Sequence, residues 1–177
     1  EGVTSIGNSA FYNCSSLTNI VLPNSIISIG ADAFNGCGNF KYNEYDNAYY
    51  IGNNSNPYLV LMKAKNQSIA SCKIHPNTKI IYSNAFCWCS NLTTIVIPDG
   101  VTNIGFGSFQ VCGFLTSIVI PDSVIIIDDA AFWGCSSLIS IEIPDSVTSI
   151  GGGAFSGCSS LISVAIGNSV AYIWNST

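Results

Sequence analysis

Apolar and polar positions alternate in short runs that repeat along the chain. In residues 138–143, Leu138, Ile141 and Ile143 are apolar, while Ser140 and Glu142 between them are polar. A β-strand sends successive side chains to opposite faces, so Ile141 and Ile143 face a core. Pro144-Asp145-Ser146 stops the strand, because proline cannot donate to a ladder and Asp and Ser bond their own backbone. Val147 and Ile150 predict a second short extended piece, and Gly151 permits the next corner. Ala154, Phe155 and Cys158 stand at i, i+1 and i+4, which predicts one helical or 3₁₀ turn pressing Phe and Cys inward.

This pattern occupies 23 residues, 138–160, and most of the chain copies it. Full copies stand at 17–39, 92–114 and 115–137, and a degenerate one at 69–91. Partial copies open the chain at 1–16 and close it at 161–177. A fixed period of this length predicts a solenoid, in which no coil buries its apolar side without neighbours above and below. Stacking turns positions into columns. Phe11, Phe34, Phe86, Phe109, Phe132 and Phe155 form one column, and Cys14, Cys37, Cys89, Cys112, Cys135 and Cys158 another. One insertion, 40–68, breaks the period. Its runs Tyr49-Tyr50-Ile51 and Tyr58–Met62 flank Gly52-Asn53-Asn54-Ser55-Asn56-Pro57, which predicts a β-hairpin projecting from the solenoid.

The recurring pattern L-x-x-I-x-I-P-x-x-V-x-x-I-G-x-x-A-F-x-x-C-x-x resembles the BspA-type leucine-rich repeat over nearly everything outside 40–68. The insertion's YNEYDNAYY and NPYLVLMKAK runs also resemble an insert of that family. The resemblance implies a right-handed leucine-rich-repeat superhelix, mostly of short parallel strands with one helical or 3₁₀ turn per coil. It also implies a surface-exposed or secreted protein of bacteria or some protozoa. Adhesion or host-protein binding is then the expected role, with an extracellular or cell-surface location.

Composition narrows the function classes. Charged residues are only 8% of the chain, against about 25% in ordinary globular proteins. Ser, Thr, Asn and Gly must cover the surface instead. Net charge is −5 with no arginine, so no basic footprint for nucleic acid exists. All five lysines (Lys41, Lys63, Lys65, Lys73, Lys79) lie within 41–79, and every charge beyond residue 80 is acidic. No apolar run reaches the roughly 18 residues that span a bilayer. The chain opens at Glu1 inside a repeat and closes at Thr177 before another is complete. A piece of a longer chain, continuing at both ends, is therefore expected, and the lack of a leader carries no information.

The sequence nominates no catalytic, cofactor-binding or metal-binding residue. Six cysteines fall on the inward column and read as a buried thiol ladder, since stacked cysteines are poorly angled for a disulfide. Cys72 replaces a core Ile. Cys87-x-Cys89 offers two metal ligands, too few for a zinc site. His75 takes the Pro slot of the strand-ending turn, with no recognisable nucleophile paired to it. Asp99, Asp122 and Asp145 stack as a column that read either as Asx turns or as oxygen ligands for calcium, the turns being favoured. Sequons stand at Asn13, Asn53, Asn66, Asn91 and Asn175 and matter only in a eukaryotic secretory pathway.

The expected partner-binding residues are in the insertion: Tyr42, Tyr45, Tyr49, Tyr50, Tyr58, Lys63 and Lys65. Tyrosine offers rigid area with a polar tip and is enriched at recognition surfaces. The competing reading is that these tyrosines pack the hairpin onto neighbouring coils. The outward strand face (Thr93, Thr94, Val96, Thr116, Ser117, Val119) is flat and lacks Trp, Tyr or Arg anchors. The expected function is therefore a non-enzymatic protein-binding or adhesion segment, with a host or matrix protein as partner. The alternative is a structural spacer that displays another domain.

Overall fold

The computed structural model describes residues 2–175; the sequon at 175–177 extends outside the described residues. Fourteen strands follow one another: β1 (Ser5–Ile6), β2 (Ser28–Ile29), β3 (Asn43–Tyr45), β4 (Ala48–Ile51), β5 (Val60–Ala64), β6 (Ser71–Lys73), β7 (Ile80–Ile81), β8 (Thr94–Val96), β9 (Asn103–Ile104), β10 (Ile126–Ile127), β11 (Ser140–Ile143), β12 (Ser149–Ile150), β13 (Ser163–Ile166) and β14 (Tyr172–Ile173). Coils stack in parallel, one repeat per step. Ile104 pairs Ile127, Ile127 pairs Ile150, and Ile141 pairs Val164. Alternation along β11 buries Ile141 and Ile143 and leaves Ser140 and Glu142 outside.

Hydroxyls knit neighbouring coils. Thr93, Thr102 and Thr148 each donate through Oγ1 to a carbonyl one coil back, at 3.3, 3.2 and 3.3 Å, and Ser123 does the same at 2.7 Å. A chain so poor in charge thus satisfies its polar surface with short neutral side chains that reach the backbone.

The Phe–Cys corner differs from expectation: the described residues form no helix there. Donors alternate instead. Gly107, Phe109 and Val111 N–H groups reach the next coil's Asp129, Ala131 and Trp133 carbonyls at 3.0, 2.8 and 2.7 Å. Ser108, Gln110 and Cys112 N–H groups close local turns on residues three back. A helical turn would spend every donor within its own coil, whereas this arrangement bonds the stack together. Its cost is two left-handed residues per coil, one standing two positions before each Phe and one two positions after it. Glycine takes five of these places, but Trp88 (φ 64°), Val111 (φ 58°) and Ala130 (φ 53°) take three. A left-handed non-glycine residue costs about 1–2 kcal/mol.

Inward of the corner, the ladder residues pack face to face. Phe86, Phe109, Phe132 and Phe155 stack at centroid separations of 5.4, 5.3 and 5.4 Å, nearly parallel. Phe11 and Phe34 form a separate pair at 5.4 Å. The break between Phe34 and Phe86 is where the insertion enters.

The hairpin expected over 49–62 is present as β4 and β5, but it does not project. It gains β3 as a third antiparallel strand, and β5 joins the solenoid sheet by pairing in parallel with β7, Val60 with Ile80 and Leu61 with Ile81. The reason is visible in its packing, since Ala48, Tyr50 and Ile51 of β4 and Val60, Leu61 and Met62 of β5 are buried against coils on both sides. Ala48, Tyr50 and Leu61 complete the core of the coils from 69 onward. Ile51, Leu59, Val60 and Met62 complete the core of coil 17–39 with Leu22, Ile26 and Phe34. The insertion is a splice between two stacks.

Candidate functional site

The splice sorts the nominated residues by face. Across β3, β4 and β5, Glu44 lies opposite Tyr49, and Tyr49 opposite Lys63. Directly paired residues share a face of the sheet. Tyr42 and Tyr49 rings stand 5.3 Å apart, and Lys63 Nζ sits over both, at 5.0 and 5.7 Å from their centroids. Lys65 Nζ lies 5.9 Å over Tyr49 and 2.8 Å from Glu44 Oε2. That bond to Glu44 raises the Lys65 ammonium above its usual range. Burial pushes the Tyr42 hydroxyl upward. Tyr42, Tyr49, Lys63 and Lys65 thus form one continuous aromatic and cationic face, with Lys63 exposed and the two rings half-buried.

This face borders a cleft of about 360 Å³ between coil 17–39 and β5, where Tyr42, Met62, Lys63 and Ser83 meet Asp32 and Gly36. Here the corner ladder is interrupted. Phe34 N–H donates to the Tyr82 hydroxyl at 2.8 Å instead of to a carbonyl. Ala85 C=O accepts from Ala64 N–H at 2.7 Å, and Cys87 C=O from Gln67 Nε2 at 3.3 Å.

The other three tyrosines lie elsewhere. Tyr50 is fully buried, its hydroxyl accepting His75 N–H at 3.3 Å, so no partner reaches it. Tyr45 and Tyr58 are half-buried on the opposite side of the insertion, packed on His75. The Tyr58 ring stacks on the imidazole at 3.9 Å, and Tyr45 meets it edge-on at 4.8 Å. Burial lowers the His75 pKa, and its Nδ1 accepts Asn77 N–H at 3.1 Å. This histidine caps its own turn in the neutral state. For these tyrosines, packing on neighbouring coils describes the geometry.

The cysteine column is a thiol ladder. Cys37, Cys112, Cys135 and Cys158 each donate S–H to the Phe carbonyl of the preceding coil, at 3.1, 3.2, 3.2 and 3.2 Å. Burial pushes Cys135 up to about 12 and Cys89 up to about 11. The thiolate is the reactive form. With a thiol reagent near neutral pH, exposed Cys14 is expected to react at once. Cys37, Cys89, Cys112, Cys135 and Cys158 are expected to react only after denaturant is added. Rapid labelling of a ladder thiol in the folded protein, read by peptide mass, would contradict the packing. Asp145 spends Oδ1 on the Asn168 N–H of the next coil, at 2.6 Å. The described residues contain no group of three or more His, Cys, Asp or Glu placed to hold a metal ion.

With the coil, the ladders and the splice in view, comparison with known proteins agrees with the fold. The family model described as BspA type leucine rich repeat region matches residues 1–56 and 64–177, in six copies. The chain belongs to the BspA-type leucine-rich repeat family. Among solved structures, a leucine rich cell surface protein from Faecalibacterium prausnitzii is 28% identical at a TM-score of 0.57, with 93% of this chain and 51% of that one covered. The T. pallidum leucine rich repeat protein is 29% identical at 0.51, covering 92% and 63%. The pneumococcal vaccine antigen PcpA is 25% identical at 0.65, covering 94% and 43%. The chain therefore spans about half the length of these relatives. No curated protein matches it.

Proposed function

We propose that the chain is a non-enzymatic, protein-binding segment of a larger cell-surface or secreted protein. It meets its partner through the face made by Tyr42, Tyr49, Lys63 and Lys65. The observation that carries this reading is the arrangement of Lys63 over two neighbouring tyrosine rings beside an open cleft. Tyrosine and a cation held in place lose little freedom on contact, which is the property of a binding hot spot. The solenoid contributes a rigid support, and the presence of this repeat in a bacterial cell-surface protein supports the location.

The test is binding to immobilised extracellular-matrix and serum proteins, with the chain beside its Tyr49→Ala/Lys63→Ala double variant. The expected result is a partner bound by the chain and weakened about 10-fold or more in the variant, with the circular dichroism unchanged. Equal binding by both overturns the face. If the chain binds nothing in a broad panel, the segment is a spacer that displays another domain.

A further inference from the structure

A second surface lies away from the insertion, on the corner side of the last coils. A cleft of about 850 Å³ runs along the stack there, walled by Phe106, Trp133 and Trp174 and bearing Asp128, Asp129 and Gln110. Trp133 is 41% exposed, with Phe106 half-buried beside it. The regular repeat carries glycine where Asp128 and Trp174 stand. These residues therefore depart from the pattern in alternate coils and converge on one groove. Gly151 lets its coil approach the preceding one at this groove, since a Cβ there would clash with the Asp128–Asp129 backbone.

We propose that this groove binds the cationic side chains of a basic segment of a partner protein, Lys or Arg lying across the aromatic walls with their charge toward Asp128 and Asp129. Three observations converge. Neither carboxylate has an ion-pair partner among the described residues. Asp129 is held in place, its Oδ1 accepting Gly152 N–H at 2.6 Å, and Asp128 Oδ1 accepts Asp129 N–H at 2.9 Å. Each carboxylate keeps an oxygen for a ligand. Asp128 is half-buried, and that burial raises its pKa, so an arriving cation relieves a desolvated charge.

The exposed rings select the kind of cation. Trp faces attract ammonium and guanidinium groups, each contact contributing about 0.5–2 kcal/mol. A calcium ion wants six to eight oxygens, which two carboxylates do not supply. A neutral glycan would stack on the rings but leave the Asp128 charge uncompensated. Every charge beyond residue 80 is acidic, so the field around the groove also favours a basic partner. At about 850 Å³ the groove has room for more than one side chain.

The test follows tryptophan emission of the intact chain as it is titrated with a synthetic peptide of alternating Arg and Gly. A matched Glu/Gly peptide and a neutral β-glucan oligosaccharide serve as comparison ligands. The Arg/Gly peptide is expected to give a saturable change and the other two none. Trp133→Ala and Asp128→Asn are each expected to weaken it about 5- to 10-fold. Asp99→Asn/Asp122→Asn removes charge from exposed turns elsewhere and is expected to change it less than about 2-fold. Asp128→Asn keeps the Oδ1 acceptor, so it reads out even if Trp133→Ala perturbs the coil. The proposal is overturned if the peptide does not bind or if Trp133→Ala binds as tightly as the parent. It is equally overturned if the Asp99/Asp122 pair matters as much as Asp128, or if the oligosaccharide binds in the peptide's place.

Discussion

Phe109→Ala is expected to cost about 3–5 kcal/mol of folding stability, the range for truncating a fully buried aromatic side chain. Phe109 is 0% exposed and stacked between Phe86 and Phe132 at 5.4 and 5.3 Å. Its removal opens a cavity against both neighbours and forfeits two stacking contacts. The surrounding backbone cannot collapse into the space. Both left-handed residues of that corner, Gly107 and Val111, are tied to the next coil through their N–H groups. In a solenoid, stability is close to a sum of coil terms and nearest-neighbour terms, so a middle coil matters twice. Phe11→Ala, in a half-buried ring stacked on one neighbour, is expected to lose clearly less. Urea unfolding of the two variants measures the difference. A loss below about 1.5 kcal/mol for Phe109→Ala would mean that the ladder is not the structural spine of the stack.

The spine was legible because it depends only on the period. A position that recurs every 23 residues becomes a column wherever the coils stack in register, and Phe and Cys columns could be written down before any coordinate. The corner geometry was not legible from the spacing of Ala154, Phe155 and Cys158. That spacing fits a helical turn and a pair of overlapping turns equally well. The difference lies in where alternate N–H groups go, and that depends on the next coil. A signal was nevertheless present. Asn13, Asp32, Gly36, Asn84, Gly107, Gly134, Gly153 and Gly157 mark the two left-handed positions flanking each Phe, and a helical turn has no use for them. The insertion carried a similar unread signal. Leu59, Val60, Leu61 and Met62 are apolar without alternation, which fits a strand covered on both faces. A projecting hairpin would have shown one polar side. The aromatic and acidic groove was visible only as departures from the repeat: Asp128 and Trp174 replace a glycine, and Trp133 stands in a column shared with Gln110 and Ser156.

Tyr49 and Tyr50 are neighbours in sequence and look interchangeable, yet their replacement by alanine is expected to act on different properties. Tyr50→Ala is expected to cost about 3–5 kcal/mol, because a fully buried aromatic ring is removed from the junction of the insertion with coil 69–91. Its ring meets Tyr58 edge-on at 5.6 Å and its hydroxyl accepts His75 N–H, so the loss also loosens the Tyr58–His75 stack. Tyr50→Phe keeps the ring and removes only the hydroxyl. It is expected to cost about 1 kcal/mol, the net value of one hydrogen bond. Tyr49→Ala removes a half-buried ring from the opposite side of the same strand, where Lys63 and Lys65 lie over it. The expected stability loss there is about 1 kcal/mol or less, set by the cation–π contacts at an open surface. Thermal melts of the three variants separate the cases. A Tyr49→Ala melt as low as that of Tyr50→Ala would make the Tyr42–Tyr49–Lys63 face a packing element, and the partner would then have to be sought on the sheet face or in the groove beside Trp133.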